Sequence, residues 1–134
     1  MTSGLCAAAL ALCLGCGGRE FPELAPVAGT VTLDGQPLEG VLVSFYPMGG
    51  EGGRPGTDVT DAEGRYELMY FEGEAGARVG PNRVEVTMYW PDGEPSPDIK
   101  DKVPRGYGAG STMTFEVKPG DNKFDIDMKS SGPR

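Results

Sequence analysis

The chain has 134 residues, with 12 Lys and Arg against 20 Asp and Glu, no His and 3 Cys, a length that admits one small acidic domain. Gly and Pro supply 34 of the 134 residues while apolar residues reach 38% in short runs, the composition of a loop-rich globular domain. Without His, the serine-histidine triad, histidine-ligated zinc and imidazole acid–base work are excluded. The net charge of -8, with no basic stripe, argues against nucleic acid as a partner.

Every formal charge lies at or after Arg19, so the N-terminus is an uncharged region of its own. Leu5 to Leu14 is an apolar run that would span only about 15 Å as a helix, half of a bilayer's hydrocarbon core. Its length suits the apolar region of an export signal, and small residues follow it. Cys6, Cys13 and Cys16 all lie in this leader, so the remaining domain can form no disulfide. Leu14-Gly15-Cys16-Gly17 resembles the lipobox of bacterial lipoproteins, although Cys13 stands where Leu is usual and Met1–Gly4 carries no Lys or Arg. The resemblance implies cleavage after residue 15 and a lipid on Cys16, an anchor without a span. A plain cleaved signal peptide and a buried N-terminal helix are the alternatives. Residues 16–26 read as lipidated Cys and tether, 27–129 as the domain and 130–134 as a disordered tail.

From Val27 the apolar residues recur with period two in short runs bounded by turn residues, the pattern of half-buried strands. Val27 to Leu33 is the first run, and Asp34-Gly35 turns it. Val41, Val43 and Phe45 share the inner face of the second, which Pro47 ends. Thr57 to Thr60 and Arg65 to Tyr70 read as a hairpin about Asp61–Gly64. Val84, Val86, Met88 and Trp90 face inward from the fifth run. Pro91 to Gly110 has no periodicity and is long for a loop in a compact domain. Met113, Phe115 and Val117, then Phe124, Ile126 and Met128, complete seven short runs. The expected fold is all-β, a seven-stranded antiparallel two-sheet sandwich with transthyretin-like or Ig-like Greek-key connections.

Gly29-x-Val31, Asp34-Gly35-Gln36-Pro37-Leu38-x-Gly40-Val41-x-Val43-x-Phe45 and Thr60-Asp61-x-x-Gly64-x-Tyr66 resemble the carboxypeptidase regulatory-like family. Gly76-Ala77-x-x-Gly80, Val84-x-Val86, Val103-Pro104-x-x-Tyr107 and Phe115-x-Val117 extend the resemblance to small envelope lipoproteins of planctomycete-type bacteria. It covers residues 27 to 128 and implies a non-catalytic structural or binding module, without cofactor, in the cell envelope. The same fold hosts a hydroxyisourate hydrolase, whose His residues and terminal Tyr-Arg-Gly-Ser are missing here.

Oxygen ligands for calcium can be sought at Asp58, Asp61 and Glu63, but Asp61 is more simply a turn cap, and no metal site is assigned. Tyr89, Arg105 and Tyr107 flank the long loop and form the candidate binding surface, for an envelope protein or a glycan. Trp90 falls on the inward phase of its run and is assigned to the core.

Overall fold

The computed structural model describes residues 22–49, 53–71 and 73–133, which contain no helix. Cys16 and the leader lie outside them. Two layers of strand enclose one core. The smaller sheet centres on β2 (Val27–Leu33), after a two-residue β1 (Leu24–Ala25); β3 (Gln36–Pro37) pairs with its far end. The larger sheet begins with β4 (Val41–Pro47) and β5 (Gly56–Val59), which pair antiparallel.

The expected hairpin after β5 is divided between the layers. β6 (Arg65–Glu67) pairs with β2, whereas β7 (Met69–Phe71) pairs with β5. Leu68 is the pivot: it is buried, its N–H donates to the Val27 carbonyl at 2.9 Å, and its carbonyl accepts the Gly76 N–H at 2.7 Å. Short β8 (Glu74–Ala75) and β9 (Ala77–Arg78) follow, and β9 pairs with β1. Ordered pairing thus begins at Leu24, before the expected start at Val27. The reason is the burial of Ala25 in the core.

β10 (Gly80–Met88) is the longest strand and lies between β4 and β11 (Thr114–Val117). The chain then crosses to the smaller sheet, where β12 (Asn122–Lys123) and β13 (Ile126–Met128) pair in succession with β2. These last pairings are parallel, against the all-antiparallel expectation. Both β2 and the closing segment enter the sheet from the same pole, so they must run the same way.

The buried faces follow the period-two code: Val27 and Val31 of β2, Val41, Val43 and Phe45 of β4, Val84 and Val86 of β10, and Ile126 and Met128 of β13. Phe115 and Phe124, with ring centroids 4.5 Å apart, close one open side between the sheets. Residues 130–133, expected as a free tail, fold back. The Ser130 N–H donates to Asp34 Oδ1 at 3.0 Å, and the Gly132 N–H donates to the Lys129 carbonyl at 2.8 Å.

The strand directions give the sandwich two poles. Leu24, the residue 118–121 turn and the start of β10 share the entry pole. The Asp34–Gly40 turn, the Asp61–Gly64 turn and the end of β10 share the opposite, loop pole.

Candidate functional site

Hydrogen-bond parity along β10 determines what its far end can do. The Tyr89 N–H donates to the Gly40 carbonyl beyond the last β4 pair, so odd-numbered residues turn their backbone toward β4. Even-numbered residues turn theirs the other way: the Val84 N–H donates to Met113 O and the Val86 N–H to Tyr107 O, both at 2.8 Å. Between those two anchors the returning chain bulges outward. Buried Ser111 braces the bulge, its N–H donating to Gly108 O at 2.8 Å and its Oγ accepting the Met113 N–H at 3.1 Å.

Past Val86 the long loop stands off the strand, leaving a cleft of about 540 Å³ at the loop pole. Met88, Trp90 and Val103 form its apolar lining, with Asp101 and Arg105 as its charged residues. One Asp101 oxygen is committed to the loop, accepting the Val103 N–H at 2.8 Å. Arg105 is exposed and has no ion pair among the described residues.

Of the three residues expected on the binding surface, only Arg105 lines this cleft. Tyr107 is 6% exposed, and its hydroxyl accepts the Lys129 N–H at 2.9 Å, tying the loop to the end of β13. It is a buried corner and not a contact residue. Tyr89 is 43% exposed, but it follows the end of β10 and lines no part of the cleft. Trp90, assigned to the core by its phase, is instead half-buried in the cleft and outside the core cluster, because β10 ends two residues earlier. Met88 was read as core, Val103 only as part of the motif resemblance and Asp101 not at all, since a loop without periodicity gives no sign of what it covers. Cys16 lies outside the described residues.

A second, larger cleft of about 650 Å³ lies between β2, β5 and β6. Both of its aspartates are occupied. Asp58 Oδ2 accepts the Glu67 N–H at 2.8 Å, bridging the two sheets. Asp61 Oδ1 accepts the N–H groups of Glu63 at 3.0 Å and Arg65 at 2.9 Å, while Oδ2 lies 3.6 Å from Arg65 Nε. These backbone bonds, that from Arg65 first, hold the Asp61 carboxyl below the usual carboxylate range. Among the described residues no group of three His, Cys, Asp or Glu side chains could hold a metal ion. Although smaller, the loop-pole cleft is the better candidate site, because its aromatic and its cation are uncommitted.

No family model matches the chain, and no curated protein matches it. Among solved structures, the chain is similar to a DUF3823 family protein from Parabacteroides merdae ATCC 43184, at 18% identity and a TM-score of 0.44. The similarity covers 80% of this chain and 46% of that one, so the chain spans less than half the length of its neighbour. A likeness this distant carries no functional argument.

Proposed function

We propose that the chain is a non-catalytic interaction module of the cell envelope, held to a membrane by lipid on Cys16. The motif resemblance to carboxypeptidase regulatory-like domains and small envelope lipoproteins supports this reading, as does the chain's lack of His. The motif letters have structural work to do: Thr60, Asp61 and Gly64 hold one corner, and Tyr66 fills the core. The observation that carries the interaction role is the loop-pole cleft, lined by half-buried Trp90 and by an Arg105 that has no ion pair among the described residues.

Intact mass of protein extracted from membranes tests the anchor. The expected species begins at Cys16 and carries acyl chains; a species retaining Met1 in the soluble fraction refutes it. Pull-down from envelope fractions tests the interaction role, with retention expected for the parent chain and lost on Trp90→Ala. Equal retention by both removes the cleft from the proposal. The cleft also favours a more specific reading, a carbohydrate- or peptide-binding domain using the 91–110 loop side.

A further inference from the structure

Of the five large apolar side chains that stand exposed among the described residues, three lie on one corner of the larger sheet: Met48 at 46%, Met69 at 43% and Phe71 at 42%. Strand direction carries this corner to the entry pole. β4 runs toward that pole, and Met48 follows its end, donating its N–H to the Pro81 carbonyl at 2.9 Å beside the start of β10. β5 runs away from the pole and β7 runs back, so Arg54, just ahead of β5, and Phe71, the last residue of β7, meet there with the Arg54 guanidinium 4.7 Å from the Phe71 ring centroid. Met69 stands on the same strand, opposite Thr57.

Placement selects the occupant of this patch. A Cβ on Gly53 would lie 2.6 Å from Arg78 Nη1, and Arg78 pairs with Leu24, so the corner adjoins the point where the chain enters the domain. A lipid on Cys16 would hold that point within about 25 Å of the bilayer. At such close quarters a contact of two or three side chains, too small to hold the domain by itself, becomes populated. The chemistry also fits a lipid surface. Apolar side chains enter the boundary between headgroups and acyl chains, while a guanidinium stays with the phosphates. Exposed Glu74 stands opposite Phe71 in the β7–β8 register and offsets Arg54, so the contact is apolar and needs no anionic lipid.

We propose that Met48 and Phe71, with Met69 behind them and Arg54 at their rim, dip into the headgroup–acyl boundary as a second membrane contact beside the lipid. The proposal rests on the Cys16 anchor above and adds the protein surface that meets the bilayer.

Mature acylated protein in phosphatidylcholine vesicles is labelled with a fluorophore at Met48→Cys or Phe71→Cys, with Asp121→Cys as the control at the same pole. One set of vesicles carries nitroxide on the headgroup and another carries it high on the acyl chain. The labels at 48 and 71 should be quenched at least as strongly by the acyl-chain nitroxide as by the headgroup one, whereas the label at 121 should be quenched at least threefold more by the headgroup one. The pattern should persist at about 1 M salt, where exposed charges are screened. Adding Met48→Ser and Phe71→Ser to Asp121→Cys should keep the melting temperature and co-sedimentation while lowering headgroup quenching at least twofold. Acyl-chain quenching at 48 and 71 no greater than at 121, or unchanged headgroup quenching in the triple variant, overturns the proposal and leaves the anchor standing. Disulfide-linked dimers through Met48→Cys without acyl-chain quenching also overturn it, giving the patch to a second copy of the chain. Protein that does not co-sediment with the vesicles removes the anchor and this contact together.

Discussion

Two glycines of similar appearance in the sequence differ sharply in what a methyl group would meet. A Cβ on Gly29 would lie 1.9 Å from the Phe124 carbonyl oxygen and 2.9 Å from Tyr66 Oη. Tyr66 donates its hydroxyl proton to that same carbonyl, so the missing side chain is what lets β2, β6 and the closing segment meet. Gly29→Ala should therefore force backbone apart and cost about 3 kcal/mol in denaturant unfolding. Gly35, at φ 84 with no atom near its would-be Cβ, meets only backbone strain, and Gly35→Ala should cost about 1 kcal/mol. Equal losses at the two sites would mean that the close approach at Gly29 is wrong. Tyr89 and Tyr107 make a second contrast. Burial predicts a loss of about 3 kcal/mol for Tyr107→Ala, from the removed ring and the orphaned Lys129 N–H. Tyr89→Ala should stay within about 0.5 kcal/mol of the parent. Thermal melts of the two variants check this directly, and a neutral Tyr107→Ala would return that residue to the surface.

At the level of elements, the corner between the Asp34–Gly40 and Asp61–Gly64 turns is held by one hydroxyl. Thr60 Oγ1 donates to the Leu38 carbonyl at 2.7 Å and accepts the Val41 N–H at 3.1 Å, and Thr60 is buried. Thr60→Val keeps the shape and removes both bonds, so it should cost about 2 kcal/mol; a loss below about 0.5 would show that water or a shifted turn replaces them. The adjoining carboxylate gives the corner a pH dependence. Asp61 binds protons less readily folded than unfolded, so its contribution is complete above about pH 4 and fades as pH falls through the lowered folded value. Asp34 behaves alike, through the Ser130 backbone N–H first. Melting temperature should fall on acidification below about pH 4, less steeply in Asp61→Asn and least in Asp34→Asn/Asp61→Asn. A slope identical in all three would detach the acid limb from these caps. The sequence made β2, β4 and β10 legible because each buries one face, and alternation records burial. It could not show that residues 65–71 serve two sheets, since Tyr66 and Leu68 keep the same phase whichever partner each segment takes. Nor could it show that β13 runs parallel to β2, because parity carries no direction. The candidate site was half visible: Arg105 was found by its neighbours in sequence, whereas Trp90 was misread because parity was extended past the end of β10.

The whole molecule has a direction that matters if Cys16 carries lipid. The described chain enters at the pole where Leu24 pairs with Arg78, and the cleft lies at the other, beyond the end of β10. Nine residues of strand at about 3.3 Å each put roughly 30 Å between the two poles. The seven Cα-to-Cα steps from Cys16 to Glu23 reach at most about 25 Å, so the tether limits how far the entry pole can leave the bilayer. An anchored molecule should thus present its loop cleft away from the membrane, toward a partner approaching from the aqueous side. The thiol-free domain makes this measurable, because one introduced cysteine is the only free thiol on the mature, acylated protein. Asp121→Cys places a fluorophore at the entry pole, and Glu94→Cys places one in the loop beyond Trp90. In vesicles with nitroxide-labelled headgroups the Asp121 probe should be quenched several-fold more than the Glu94 probe. Equal quenching on membrane-bound protein would mean that the domain lies flat, sinking the outward-facing cleft while sparing the anchor. Failure of both variants to co-sediment with the vesicles would sink the anchor itself.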